Sequence, residues 1–151
     1  MAPTLIDTNV LVYAYDRSEP EKQRRALEVL ETLAYTGAGR LSAQVLSEFL
    51  VNVTRKIATP LTLVQAEARL QHYVKIWPVF PVTAQVVVEA VRGVRDYQLS
   101  FWDAQIWAAA RLHHVPTVLS EDFNPGAMLE GVSFVDPFAA EFRVQDLGED
   151  V

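Results

Sequence analysis

Apolar residues along the chain alternate between short extended runs and longer stretches at helical spacing. Thr4-Leu5-Ile6 is an apolar run that stops at Asp7-Thr8-Asn9 and reads as a first strand. Ser18 and Glu21 stand at capping-box spacing with Pro20 between them. Ala26, Leu27, Leu30, Leu33 and Ala34 then recur at helical spacing until Gly37, which predicts a helix with a glycine stop. Arg40-Leu41-Ser42 predicts a second short strand. It leads into a helix from Gln44 to Lys56 whose apolar stripe is Leu46, Phe49, Leu50, Val53 and Ile57. Thr59-Pro60 ends that helix, and Thr62 with Gln65 forms a capping box for another that runs to Lys75. The stretch from Trp77 to Val82 reads as extended, and Pro78 and Pro81 suit an edge strand. Thr83 caps a helix to Arg95. Ser100-Phe101-Trp102-Asp103 opens the next, so apolar through Ala110 that it should be buried, with Trp102 and Trp107 in the core. Pro116–Leu119 and Val132–Val135 are the last strands, separated by the turn-rich Phe123-Asn124-Pro125-Gly126.

Strands that alternate with helices predict an α/β three-layer sandwich, a mainly parallel five-stranded sheet flanked by helices. Ligands of such sheets gather beyond the carboxyl ends of the strands, where Asp7 and Asp122 both fall. At 151 residues the chain holds one core. We divide it into a domain over residues 1–138 and an acidic tail over 139–151, and expect the stretch from Glu141 onward to be frayed or held by a partner.

Composition narrows the chemistry. Without cysteine there is neither a disulfide framework nor a thiolate metal site. Thirteen basic against nineteen acidic residues give a net charge of −6, the wrong sign for a protein that grips nucleic acid mainly by covering phosphates. A nuclease survives this test, because carboxylates that ligate cations add to the acidic count while the cations supply the positive charge. An acid at position 7 interrupts any signal peptide and no run reaches membrane-spanning length, so a cytoplasmic protein with no membrane association is expected.

Four acids stand out, each with two readings. Asp7 is a helix N-cap or a functional carboxylate; if Asn9 is the cap, Asp7 is freed. Glu48 falls by periodicity opposite the apolar stripe, beside Gln44 and Arg55, on what reads as a solvated face. Asp103 lies beside Ile106, Trp107 and Ala110 in a helix with little polar surface. It completes a capping box with Ser100, ligates a cation, or does both. Asp122 is a turn former or a ligand. Thr8, Asn9 and Ser120 either support these carboxylates or serve turns. His113-His114 reads as a helix-end pair, since His72 belongs to another helix.

Taken in order, Leu-Ile-Asp7-Thr-Asn-Val-Leu, Ser-Glu48-Phe, Ser-Phe-Trp-Asp103-Ala-Gln-Ile-Trp and Val-Leu-Ser-Glu-Asp122-Phe resemble the PIN-domain pattern. The resemblance covers residues 4–138 and is nearest to the VapC-type toxins of bacterial and archaeal toxin-antitoxin systems. It implies a PIN-like nuclease domain over 1–138 in which Asp7, Glu48, Asp103 and Asp122 hold Mg²⁺ or Mn²⁺, with Thr8, Asn9 and Ser120 in support. Glu121 beside Asp122 leaves the fourth ligand open between the two, with Asp122 at the better spacing. The resemblance further implies an endoribonuclease that leaves a 5′-phosphate and a 3′-hydroxyl, a cognate antitoxin partner and a homodimer. Arg17, Lys22, Arg24, Arg25, Arg55 and Lys56 are candidates for guiding RNA, or simply surface. Two rivals remain: a haloacid-dehalogenase-like phosphohydrolase, whose second aspartate would fall at Asn9, and a non-catalytic PIN-like binding domain, against which the presence of all four acids argues.

Overall fold

The computed structural model describes residues 1–124 and 126–147. Its elements, in chain order, are β1 (Thr4–Ile6), α1 (Thr8–Tyr13), α2 (Pro20–Thr36), β2 (Gly39–Ser42), α3 (Ala43–Arg55), α4 (Leu63–Ile76), β3 (Val79–Phe80), α5 (Ala84–Tyr97), α6 (Phe101–Leu112), β4 (Thr117–Leu119), β5 (Met128–Leu129) and β6 (Val132–Val135), followed by a 3₁₀ turn over Val144–Asp146. The sheet runs β3-β2-β1-β4-β6-β5, and every neighbouring pair is parallel except β5 with β6. Helices flank it to give the expected three-layer sandwich, with six strands rather than five.

The additional strand has a local cause. Glu130 and Gly131 both take positive φ, 52° and 85°, the geometry of a two-residue hairpin turn that folds Met128–Leu129 back on Val132. Two residues carry too little alternation to announce a strand. The proline-flanked segment is β3 at the sheet edge, as its missing donors require.

Four of the six helices are capped by the chain's hydroxyls. Ser42, Thr62, Thr83 and Ser100 each accept from a backbone N–H in the first turn of α3, α4, α5 and α6, and Thr62 with Gln65 completes a capping box. Ser18 does not cap α2: its hydroxyl donates to Asp16 at 2.6 Å and the N-cap is Glu19. Gly37 ends α2 at φ 71° as expected.

The core is contiguous from Leu5 and Ile6 through Leu33, Leu41, Phe49 and Trp107 to Phe134. α6 is buried along Ala104–Ala110, but Trp102 at its start is 62% exposed, so its assignment to the core fails. Trp102 belongs to the first turn of α6, ahead of the buried run that begins at Ala104, and the residues one turn on along its face, Gln105 and Ile106, are already covered, so apolar composition alone could not mark it as exposed. Past residue 138 the chain turns back rather than fraying, with Phe142 and Leu147 buried and Arg25 donating to the carbonyls of Pro137 and Phe142. Residues 148–151 of the expected tail, and Pro125 of the turn, lie outside the described residues.

Two glycines mark close packing. A Cβ on Gly39 would stand 2.5 Å from Nε1 of Trp77, whose indole is buried and donates to Leu33, and one on Gly93 would stand 2.9 Å from the ring of Trp107. Gly39→Ala is expected to cost about 1–3 kcal/mol through overpacking, read as a lower urea midpoint at unchanged slope. An unchanged midpoint would show that the Trp77 ring yields freely.

Candidate active site

β1 and β4 are adjacent, yet the chain leaves them in opposite directions: β1 feeds β2 on one side and β4 feeds β6 on the other. Such a switch in strand order opens a crevice at the carboxyl ends of the two strands. Asp7 follows β1 directly and Ser120 follows β4. The ladder extends to hold both, with the Asp7 N–H donating to Leu119 at 3.0 Å and that of Ser120 to Val135 at 3.0 Å.

Asp7 is the N-cap of α1, so Asn9 is not. One carboxylate oxygen accepts from the Thr8 N–H at 2.7 Å, the other from the Ser120 hydroxyl at 2.6 Å and the Asn9 amide at 3.3 Å. It is 5% exposed. Burial pushes its pKa from 3.8 up to about 7; the Ser120 and Thr8 hydrogen bonds oppose the rise, and the charges of Asp103 and Glu48 add to it. The same Asn9 amide reaches Asp122 at 3.1 Å, while the Asp122 N–H donates to Ser120 at 3.1 Å. Asn9 and Ser120 therefore tie the first acid to the last.

Glu48 comes from the face of α3 that periodicity assigned to solvent, and the structure turns that face into the crevice. Its carboxylate accepts from Thr8 Oγ1 at 2.6 Å and Gln44 Nε2 at 2.8 Å. Gln44, one turn earlier, is buried. It also donates to the Trp102 carbonyl at 3.1 Å and accepts from the buried Gln105 at 2.7 Å. Neither glutamine was singled out from the sequence, although a glutamine within the apolar run of α6 is the kind of buried polar residue that must find a partner. Asp103 sits in the first turn of α6, its N–H donating to Ser100. Burial raises its pKa, the Ser100 hydroxyl opposes, and the Asp122 and Glu48 charges raise it further. Asp7 thus feels the charges of Asp103 and Glu48, and Asp103 those of Asp122 and Glu48.

Glu121 points elsewhere. It accepts from the Tyr13 hydroxyl and pairs with Lys22 at 2.9 Å, which separates it from Asp122. Lys22 lies over the Tyr13 ring in the same cluster. Two open clefts flank the acids. One, of about 610 Å³, is lined by Thr8, Asn9, Tyr13, Glu48 and Asp122; the other, of about 760 Å³, by Gln44, Glu48, Trp102 and Val82. A separate cavity of about 460 Å³ beneath residues 139–147 contains none of the four acids.

The PIN domain family profile matches residues 4–125, most of the chain. The protein belongs to the PIN domain family. Solved structures of similar fold include a toxin-antitoxin complex from Klebsiella pneumoniae at 22% identity and TM-score 0.65, covering 89% of this chain and 97% of that one. The DNA-bound VapBC of Salmonella typhimurium superposes at 13% identity and TM-score 0.61, over 91% and 99% of the respective chains. VapC20 of Mycobacterium tuberculosis, a Sarcin-Ricin loop cleaving toxin, does so at 17% and 0.58, over 84% and 97%. No curated protein matches the sequence. The PIN assignment, with an amide donor at Asn9 in place of a second aspartate, leaves the dehalogenase-like reading without support.

A cation is a sound occupant for these donors. Among the described residues none of the four acids is ion-paired with a basic side chain. Their oxygens accept from Thr8, Ser120, Asn9 and Gln44, and among the described residues no three acidic or histidine groups are gathered closely enough to cage an ion as they stand. Like charges without a paired base, one of them buried at Asp7 and the others facing the crevice, and offering only oxygen donors, suit a hard divalent ion such as Mg²⁺ or Mn²⁺.

Proposed function

We propose that the protein is a metal-dependent endoribonuclease acting through Asp7, Glu48, Asp103 and Asp122, and that it is the toxin of a toxin-antitoxin pair. The observation that carries this reading is the placement of four acids around the β1/β4 switch, none of them ion-paired with a basic side chain among the described residues. Those acids would hold Mg²⁺ or Mn²⁺. When bound, such an ion supplies charge for the scissile phosphate and lowers the pKa of a water. The protein's own part is positioning. Thr8 and Gln44 fix both oxygens of Glu48, Ser120 and Asn9 orient Asp7, and Asn9 sets Asp122. The burial that raises the Asp7 pKa disfavours its bare carboxylate, a penalty that a bound cation would offset.

Hydrolysis then needs no covalent nucleophile, and the products are a 5′-phosphate and a 3′-hydroxyl. An antitoxin that inserts near the acids, a homodimer and a cytoplasmic location belong to the same proposal, as does the division into a nuclease domain over 1–138 and a C-terminal tail. Support for the partner comes from the relatives solved as toxin-antitoxin complexes. No helix among the described residues is long and apolar enough to cross a membrane.

The purified chain is expected to cut RNA in millimolar Mg²⁺ or Mn²⁺, to stop in EDTA, and to resume when the ion is returned. Cleavage indifferent to EDTA would overturn the metal role. No cleavage of any RNA with either ion would favour the non-catalytic binding domain.

A further inference from the structure

We infer that Trp102 is a base-stacking platform, so that the cleft beside Glu48 takes a nucleobase of single-stranded RNA next to the phosphate being cut. This rests on the ribonuclease reading of the acids and names how that site would hold its substrate.

Four observations lead to it. Trp102 is 62% exposed, whereas Trp77 and Trp107 are 2% and 0% exposed, so an indole is offered to solvent only here. The residue is adjacent in sequence to Asp103, and its carbonyl is fixed by Gln44, the same amide that holds Glu48. Its ring is braced edge-on by Phe101, with centroids 5.2 Å apart. The cleft it borders is lined also by Val82, Ser47, Asn52 and Lys56. Glu48, Asn52 and Lys56 line the neighbouring cleft of Asp122 as well, so the two join at Glu48.

This combination fits a nucleotide. A π-face and Val82 accept an unpaired base, the oxygens of Ser47 and Asn52, whose hydroxyl and amide donate to the Ala43 and Glu48 carbonyls, offer acceptors to its edge, and the exposed Lys56 brings a positive charge for a flanking phosphate. The net charge of −6 leaves little general attraction for RNA, so local stacking would carry more of the affinity than in a basic protein. An unpaired base is required because a base inside a duplex shows no free face. The expectation is therefore a preference for loops or single strands over helices.

Tryptophan emission gives a direct readout, because the other two indoles are buried. Titrating the full chain in EDTA with a short single-stranded oligoribonucleotide should quench the emission saturably. The same oligomer with abasic positions should quench it far less. Trp102→Ala should weaken RNA binding and lower kcat/KM in Mg²⁺ by roughly tenfold, mostly through KM, while Trp102→Phe should restore most of both. Unchanged KM in Trp102→Ala, or equal quenching by the abasic oligomer, would overturn the stacking role while cleavage itself stood. Quenching by base-bearing RNA in a protein that cuts nothing would uphold stacking and defeat the ribonuclease reading. An emission that shifts with protein concentration alone, together with altered self-association of Trp102→Ala, would place the indole in an interface between copies and overturn the proposal.

Discussion

At pH 8 and without divalent cations, Asp7→Asn is expected to melt higher than the wild type by roughly 5–10 °C. Asp7 is buried, and its pKa of about 7 in the folded chain exceeds the ordinary 3.8. Between those values the native state holds a proton that the unfolded chain has released. Stability of the metal-free wild type should therefore fall as pH rises from about 4 to about 7 and level off above. A shift of three units corresponds to about 4 kcal/mol at most. Asparagine keeps the acceptor for the Thr8 N–H but turns its amide toward Ser120 and the Asn9 amide, which now donate there. Part of the gain is lost in that mismatch, leaving about 2–3 kcal/mol. Melting curves in EDTA at pH 4, 6 and 8 check this: the gap between variant and wild type should open with rising pH. Millimolar Mg²⁺ or Mn²⁺ should then raise the wild type more than the variant, because an ion bound only by the folded state stabilises it. A variant that melts lower at every pH would mean that Asp7 serves the fold chiefly as the cap of α1.

That double duty explains why the acids looked ordinary one at a time. Asp7 is both the N-cap it resembles and the most perturbed acid of the crevice. Glu48 does lie opposite the apolar stripe of α3, but sequence periodicity cannot tell a face turned to water from one turned to a polar crevice. Only the β1/β4 switch and the neighbouring Gln44 and Gln105 decide it. Most helices were legible because their caps and stripes are local signals, and the parallel order followed from strand-helix alternation. What stayed hidden was decided by tertiary packing or by very short segments. These were the two-residue β5, the six-residue α1, the diversion of Ser18 to Asp16, the return of the chain to bury Phe142 and Leu147, and the outward Trp102 in an otherwise buried helix.

Packing also separates two adjacent acids that the sequence left tied. Asp122→Asn is expected to lower Mg²⁺-dependent RNA cleavage by about 100-fold or more, as is Asp103→Asn, since each withdraws a charge from a preorganised site. Glu121→Gln should cost less than about tenfold, below the range of an outer support of a metal site. Glu121 is engaged by Tyr13 and Lys22, whereas Asp122 shares the Asn9 amide with Asp7 and adds to the charge that Asp103 feels. Glutamine at 121 can still accept from the Tyr13 hydroxyl, and a partly exposed ion pair such as Lys22 with Glu121 contributes about 1 kcal/mol or less. The loop carrying Ser120 and Asp122 should therefore keep its place. Initial rates on one RNA, with melting curves to show that each variant is folded, separate the cases. Equal losses at 121 and 122 would mean that the fourth carboxylate of the site is shared between them.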